Sequence, residues 1–318
     1  MSNKNRIIPF FSKRWIFFTI SLAIMASGII AMFVNGVQLD IQFKGGAILK
    51  YSYVGDVNSD TVSGTLSDLL GRPVTAQTTS SFATGDELLV LNIAGDYGLA
   101  AEDQEKVDST LKEQFPDQKM QLSESAVVQP FFGKKFLRQG LISLALASIL
   151  VVLYVWIRFR RMGGLSAGIM ALIALFHDVF VVFFACVIMK IPIGDSFIAV
   201  ALTIIGYSIN DTIVIYDRIR ENERKLNKVP IDTITDLSIT QSITRSINTN
   251  LAVLISISAV YFLAFGHNME SIQNFALPMA IGAISGCYST ICIAGPLWVM
   301  WKKRKEPKNK KMIKAKQA

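Results

Sequence analysis

Asp211 is the residue that most needs a chemical explanation. With Asn210 it lies inside TIIGYSINDTIVIYDRIRENER, a segment apolar and long enough to cross a bilayer. An ionised carboxylate at that depth costs at least ~2.5 to 3.5 kcal/mol, so it is by default a functional-site candidate. On a helix, Thr203, Tyr207, Asn210 and Asp211 fall at i, i+4, i+7 and i+8 and share a face. In the next apolar segment Ser242, Arg245, Thr249 and Ser256 share another, with Asn248 beside it. Asp211 lies ~6 to 8 Å short of the helix end near Tyr216, at 1.5 Å per residue. Arg245 enters from the same side, so the two are predicted to meet across an antiparallel helix pair, directly or through water. One reading is a static ion pair that fixes helix register. The hydroxyls and amides around the pair favour proton handling. A carboxylate that alternates between neutral and ionised needs partners for both states, and a nearby arginine changes its hold on the proton.

His177 and Asp178 form a second candidate, near the middle of the third apolar stretch. Adjacent helical residues point about 100 degrees apart and do not form one site unaided. A relay and a packing or hydrogen-bonding role both remain open for this pair. Asp217, Arg218, Arg220 and Glu221 continue the Asp211 helix to headgroup depth, where interfacial anchoring explains them.

Six stretches must carry these residues: Trp15 to Val34, Phe136 to Ile157, Leu165 to Met189, Phe197 to Tyr216, Ile247 to Phe265 and Phe275 to Met300. Each approaches the ~20 apolar residues that a bilayer span requires. The first is too long, and too poor in small-x-small sites before Asn35, for a cleaved signal peptide, and reads as an anchor. Gly164 with Gly168 and Gly282 with Gly286 are small-xxx-small pairs suited to close helix approach. The expected division is a tail over 1–14, a first membrane helix over 15–35, an external domain over 36–135, a five-helix bundle over 136–300 and a basic tail over 301–318.

Charge orients this layout. Residues 36 to 133 hold fourteen Asp or Glu against six Lys or Arg, and the rest hold ten against twenty-six. The cations cluster before the first span, after the second, after the fourth and after the sixth, all on one side of a six-span chain. By the positive-inside rule that side, with both termini, is the cytoplasm, and the acidic block is outside. Cations beside apolar spans explain the net +8 better than nucleic-acid binding does. Cys186, Cys287 and Cys292 all lie in apolar spans and read as small buried hydrophobes. The two histidines are far apart and no Cys/His cluster has ligand spacing, so neither a metal nor another cofactor is expected.

The external block alternates GAILKYSYV, DTVSGTLSDLLG, PVTAQTTSSF, ELLVLNIAG, AAEDQEKVDSTLKEQF and KMQLSESAVV, in the order β-α-β-β-α-β. That order matches the ferredoxin-like split motif, two helices on one face of a four-stranded antiparallel sheet. Without His, Cys or a phosphate loop, it reads as an interaction domain and not an enzyme. Gly45 and Gly46 serve the turn into the sheet. The fold class is a six-helix polytopic α-helical membrane protein with one external α+β domain.

The segments LTIIGYSINDTIVIYDRIRENE, ITQSITRSINTNL and ALFHDV, in this six-span layout, resemble the SecF subunits of the bacterial Sec protein translocase, within the SecD/SecF family of the RND-type superfamily. The resemblance covers essentially the whole chain. It implies pairing with SecD and use of the proton motive force to promote late preprotein translocation across the cytoplasmic membrane, after the SecA ATPase and the SecYEG channel have begun it. YajC is a further candidate partner. The family's proton-pathway aspartate and arginine fall on Asp211 and Arg245, and the other carboxylate would come from SecD. Family members usually read GxDFTGGT after the first span. This chain has DIQFKGGA, with Gln42 in place of the aspartate and Lys44 in place of the threonine. A proton-coupled half-transporter of small molecules or lipids is the alternative reading, and a passive scaffold of the translocon a third.

Overall fold

The computed structural model describes residues 7–40, 43, 45–80, 87–95, 99–128, 130–226, 228–267 and 269–305. Gln42, Lys44 and residues 306–318 of the basic tail lie outside them. The first apolar run forms helix α1 (Arg14–Asn35). An α+β domain follows: β1 (Gly46–Tyr53), α2 (Ser59–Leu70), β2 (Val74–Ser80), β3 (Glu87–Ala94), α3 (Ala101–Gln114) and β4 (Gln121–Val128). The strands pair antiparallel in the order β2-β3-β1-β4, as the ferredoxin-like reading requires.

Strand periodicity explains the domain's core. Leu49, Tyr51 and Tyr53 alternate on one face of β1, Leu89, Leu91 and Ile93 on the same face of β3. Onto them pack Val62 and Leu66 of α2 and Val107 and Leu111 of α3, all buried. Lys50 points to the other face and pairs with Glu124 at 2.7 Å. Asn58 caps α2, its side chain accepting from the Thr61 amide at 3.1 Å. The entry into β1 needs glycine: Gly46 has φ +142°, and a Cβ there would stand 2.0 Å from the Ile93 carbonyl oxygen.

The remaining helices are α4 (Pro130–Arg158), α5 (Gly164–Ile188), α6 (Asp195–Lys225), α7 (Ile231–Gly266) and α8 (Glu270–Ser289). The last continues through a π turn, Thr290–Ala294, to Lys305. Among the described residues six helices are long and apolar enough to cross a membrane. Helix α7 begins at Ile231, well before the apolar stretch expected from Ile247. Its polar first half is helical because it packs on the charged end of α6, where Asn222 donates to Ser238 at 2.8 Å and to Gln241 at 2.9 Å.

Small residues set which helices touch. A Cβ at Gly164 would stand 2.4 Å from the Trp156 carbonyl oxygen of α4, and one at Gly282 would stand 2.1 Å from Ile204 of α6. Helix α1 is held to α8 by the Tyr288 hydroxyl, which donates to the Phe17 carbonyl at 2.7 Å. Near the sheet, the segment after α1 pairs with the α5–α6 link: Ile193 donates to Gln38 O at 2.8 Å and Asp40 to Ile193 O at 3.0 Å.

Candidate proton-handling site

Asp211 sits on α6 with its carboxylate turned into the bundle and only 7% of the residue exposed. Asn250 of α7 donates its Nδ2 to Asp211 Oδ2 at 2.8 Å and also to the Ser246 carbonyl at 2.9 Å. The Ser246 hydroxyl faces the same carboxylate but, like Asn250 Oδ1 and the Tyr207 hydroxyl, is buried without a hydrogen-bond partner. The carboxylate is therefore flanked by polar atoms with spare capacity, the surroundings needed if its protonation is to change.

Sequence periodicity placed these faces imperfectly. Thr203 and Asn210 are exposed on the outer side of α6 and Tyr207 is half-buried, whereas Asp211, about 100 degrees round from Asn210, faces inward. On α7 the inward line is Ser242, Ser246 and Asn250; Arg245, Asn248, Thr249 and Ser256 are exposed. Among the described residues Arg245 makes no direct ion pair with Asp211, although its charge lies near enough to act on the carboxylate. Ser246 and Asn250 were missed, although their spacing of four from Ser242 marks them as one helix face.

Arg245 and Ser242 line a cavity of about 870 Å³ between α6 and α7, with Ile213, Asp217 and Arg218. It lies at the basic end of the bundle, away from the sheet. Ser242, Ser246 and Asn250 step from its wall to Asp211 one helical turn at a time.

Asp178 occupies a different setting on the other side of α6. It is fully buried, and both its oxygens are used: Ser208 of α6 donates to Oδ2 at 2.9 Å, Ser289 of α8 to Oδ2 at 2.7 Å and Ser285 of α8 to Oδ1 at 2.7 Å. His177 Nδ1 lies 3.3 Å from Asp178 Oδ1, so these adjacent side chains do touch, contrary to the expectation from helix geometry. The serine partners give the pair the help it lacked. Beyond the knot, Thr212 and Thr290 share a hydrogen bond at 3.0 Å beside the π turn. A carboxylate on α5 held by donors from α6 and α8 ties those helices together, whereas Asp211 has a single donor.

A bundle of membrane-crossing-length helices with a ferredoxin-like domain after the first and a buried carboxylate, Asp211, in the fourth defines a polytopic membrane protein with one inserted α+β domain. Residues 106–304 match the model of the protein export membrane protein SecD/SecF, C-terminal family. The protein translocase subunit SecF of Alicyclobacillus acidocaldarius is 34% identical over 296 residues, covering 92% of each chain. The protein translocase subunit SecDF of Bacillus subtilis is 34% identical over 303 residues, covering 94% of this chain and 39% of its own. A crystal structure of SecDF, a translocon-associated membrane protein from Thermus thermophilus, superposes with TM-score 0.76 at 27% identity over 95% of this chain. The chain spans 40% of that SecDF chain. It belongs to the SecD/SecF family and is similar to its SecF members, protein translocase subunits of the membrane.

Proposed function

We propose that this chain is an accessory subunit of the Sec translocon that uses the proton motive force at Asp211 to promote a late stage of preprotein translocation. The observation that carries the reading is the buried Asp211 carboxylate, held by one hydrogen bond and linked by a line of polar side chains to a cavity at the basic end. With that end in the cytoplasm, along with both termini, protons leave or enter there. One proton crossing ~100 mV releases ~2.3 kcal/mol, enough to shift a two-state equilibrium about fifty-fold. No nucleotide or hydrolytic site in this chain is needed. Protonation and release at Asp211 rearrange α6 against α7, and the external domain moves with them to capture and release preprotein.

The partner in this reading is a SecD subunit. Asn210, Asn248, Thr249 and Arg245 are exposed along α6 and α7 within apolar spans, where lipid would leave their polar groups unsatisfied. This chain spans 39 to 40% of the fused SecDF relatives it matches, and the remainder of such a chain is the kind of partner that would cover that face. SecYEG and SecA supply the channel and the ATP-driven step.

The test is preprotein translocation into inverted membrane vesicles with SecD co-expressed, comparing wild type, Asp211→Asn and Arg245→Ala with and without a proton gradient. Loss of only the gradient-dependent part, with SecD still co-purifying, is the expected result. Gradient stimulation surviving in both variants would make the two residues structural and move the proton path to His177 and Asp178 or to the partner subunit.

A further inference from the structure

The geometry points to a binding site for the phosphate of an anionic phospholipid in a second cavity at the basic end, of about 600 Å³. Arg158, Arg160 and Arg161, from the end of α4 and the turn after it, line one side; Arg220, Glu223 and Arg224 of α6 line the other. Membrane orientation alone does not account for this. The positive-inside rule counts cations without regard to convergence, and lysine serves it as well as arginine. The cations elsewhere at this end are mixed, Lys225, Lys228, Lys302 and Lys303 with Arg218, Arg245 and Arg304, whereas all five in the cavity are arginines, whose planar guanidinium suits bidentate phosphate recognition.

Two of the five are held in place before any ligand arrives. Asp217 pairs with Arg158 at 2.9 Å and with Arg220 at 2.5 Å. Both guanidiniums also stack on the fully buried ring of Phe159, at 5.4 and 5.6 Å. Glu223, the carboxylate in the lining, pairs with Lys302 at 2.5 Å. The cavity therefore keeps an excess of positive charge, and among the described residues Arg160 and Arg161 make no ion pair.

Position selects a lipid over a free phosphate. Ile157 lines the cavity and is 66% exposed, and Trp156 beside it is 40% exposed, both at the end of a membrane-crossing helix. The surface changes there from apolar to cationic within one helical turn, the profile of a headgroup with acyl chains below it.

The test uses the full-length protein, reconstituted in phosphatidylcholine vesicles containing phosphatidylglycerol, re-extracted in mild detergent and weighed intact by native mass spectrometry. Wild type is expected to retain phosphatidylglycerol in preference to phosphatidylcholine. So is Lys13→Gln, which removes a cation at the same end but outside the cavity. The double variant Arg160→Gln/Arg161→Gln, and separately Arg224→Gln, are expected to retain about tenfold less. Excess inorganic phosphate is expected to leave the adduct in place. Equal retention by wild type and both cavity variants would overturn the site. An equal loss in Lys13→Gln would reduce it to charge counting, and displacement by inorganic phosphate would overturn the lipid assignment.

Discussion

Asn250 gives Asp211 its one side-chain hydrogen bond from a neighbouring helix, at 2.8 Å, while its own Oδ1 stays buried without a partner. The amide is thus half-used, and the carboxylate depends on a single donor that a small rotation of α7 would remove. Asn250→Leu takes the donor away without adding charge. Losing a hydrogen bond to a charged group costs ~1.5 to 3 kcal/mol, so the gradient-dependent part of translocation is expected to fall about tenfold or more with assembly intact. Vesicle translocation with and without a gradient checks this; unchanged gradient stimulation would reduce Asn250 to a packing role.

Asp178 separates a structural role from a relay. Asp178→Ala strands the hydroxyls of Ser208 and Ser285, leaves Ser289 only its 3.3 Å bond to the Gly286 carbonyl and opens a cavity, for an expected destabilisation of about 2 to 4 kcal/mol. Asp178→Asn keeps the volume and one acceptor, and is expected to cost about half as much. Thermal unfolding in detergent, followed by tryptophan fluorescence, measures both. The expectation is that Asp178→Asn translocation tracks the folded fraction and keeps its gradient dependence. A variant as stable as wild type that has lost gradient stimulation would instead place Asp178 in the proton path.

The exposed polar stripe makes a prediction about assembly. Asn248→Leu with Thr249→Leu replaces groups that face outward in an apolar span with side chains that lipid accepts. The chain is expected to fold as before but to co-purify with less SecD, by about three- to twentyfold if the polar contacts are worth ~0.6 to 1.7 kcal/mol together. Quantifying SecD in pull-downs from membranes decides it. Undiminished recovery would mean that another face carries the subunit contact.

Much of this was legible in sequence because one period dominated each part. Alternation in GAILKYSY and ELLVLNIA specified strands with one buried face, and the β-α-β-β-α-β order then left few sheet topologies. Asp211 stood out because a carboxylate in an apolar run is costly wherever it faces. Its direct hydrogen-bond partner was not foreseen because charge drew attention to Arg245, whereas that bond is made by a neutral amide on another face of the same helix. The Asp178 knot was hidden for a related reason. Ser208, Ser285 and Ser289 are unremarkable in apolar helices, and only the close approach allowed by Gly286, where a Cβ would meet Ser208 at 3.1 Å, brings them together. Exposure within the membrane, as at Asn210 and Thr249, follows from which helices are present, and a single chain's periodicity does not contain that.

The α+β domain carries a pH-dependent element of its own. Burial pushes the Tyr51 hydroxyl up from its ordinary 10.0 to about 12, with the nearby Asp108 charge adding to the effect. The hydroxyl is buried without a hydrogen-bond partner, so the fold favours the neutral form. Below pH 10 the folded and unfolded chains both hold the proton, and stability is unaffected. Between pH 10 and about 12 the unfolded chain releases it and the folded chain does not, so stability falls across that window. Tyr53, also shifted to about 12, behaves in the same sense. Tyr51→Phe removes one of the two groups together with an unsatisfied hydroxyl. The variant is expected to match or exceed wild type at neutral pH, by up to ~1 kcal/mol, and to lose less stability as pH rises. Limited proteolysis of the α+β domain at stepped pH, read on the full-length protein, measures the difference. Parallel alkaline loss in wild type and variant would show that Tyr51 ionises freely and that its burial is not maintained in solution.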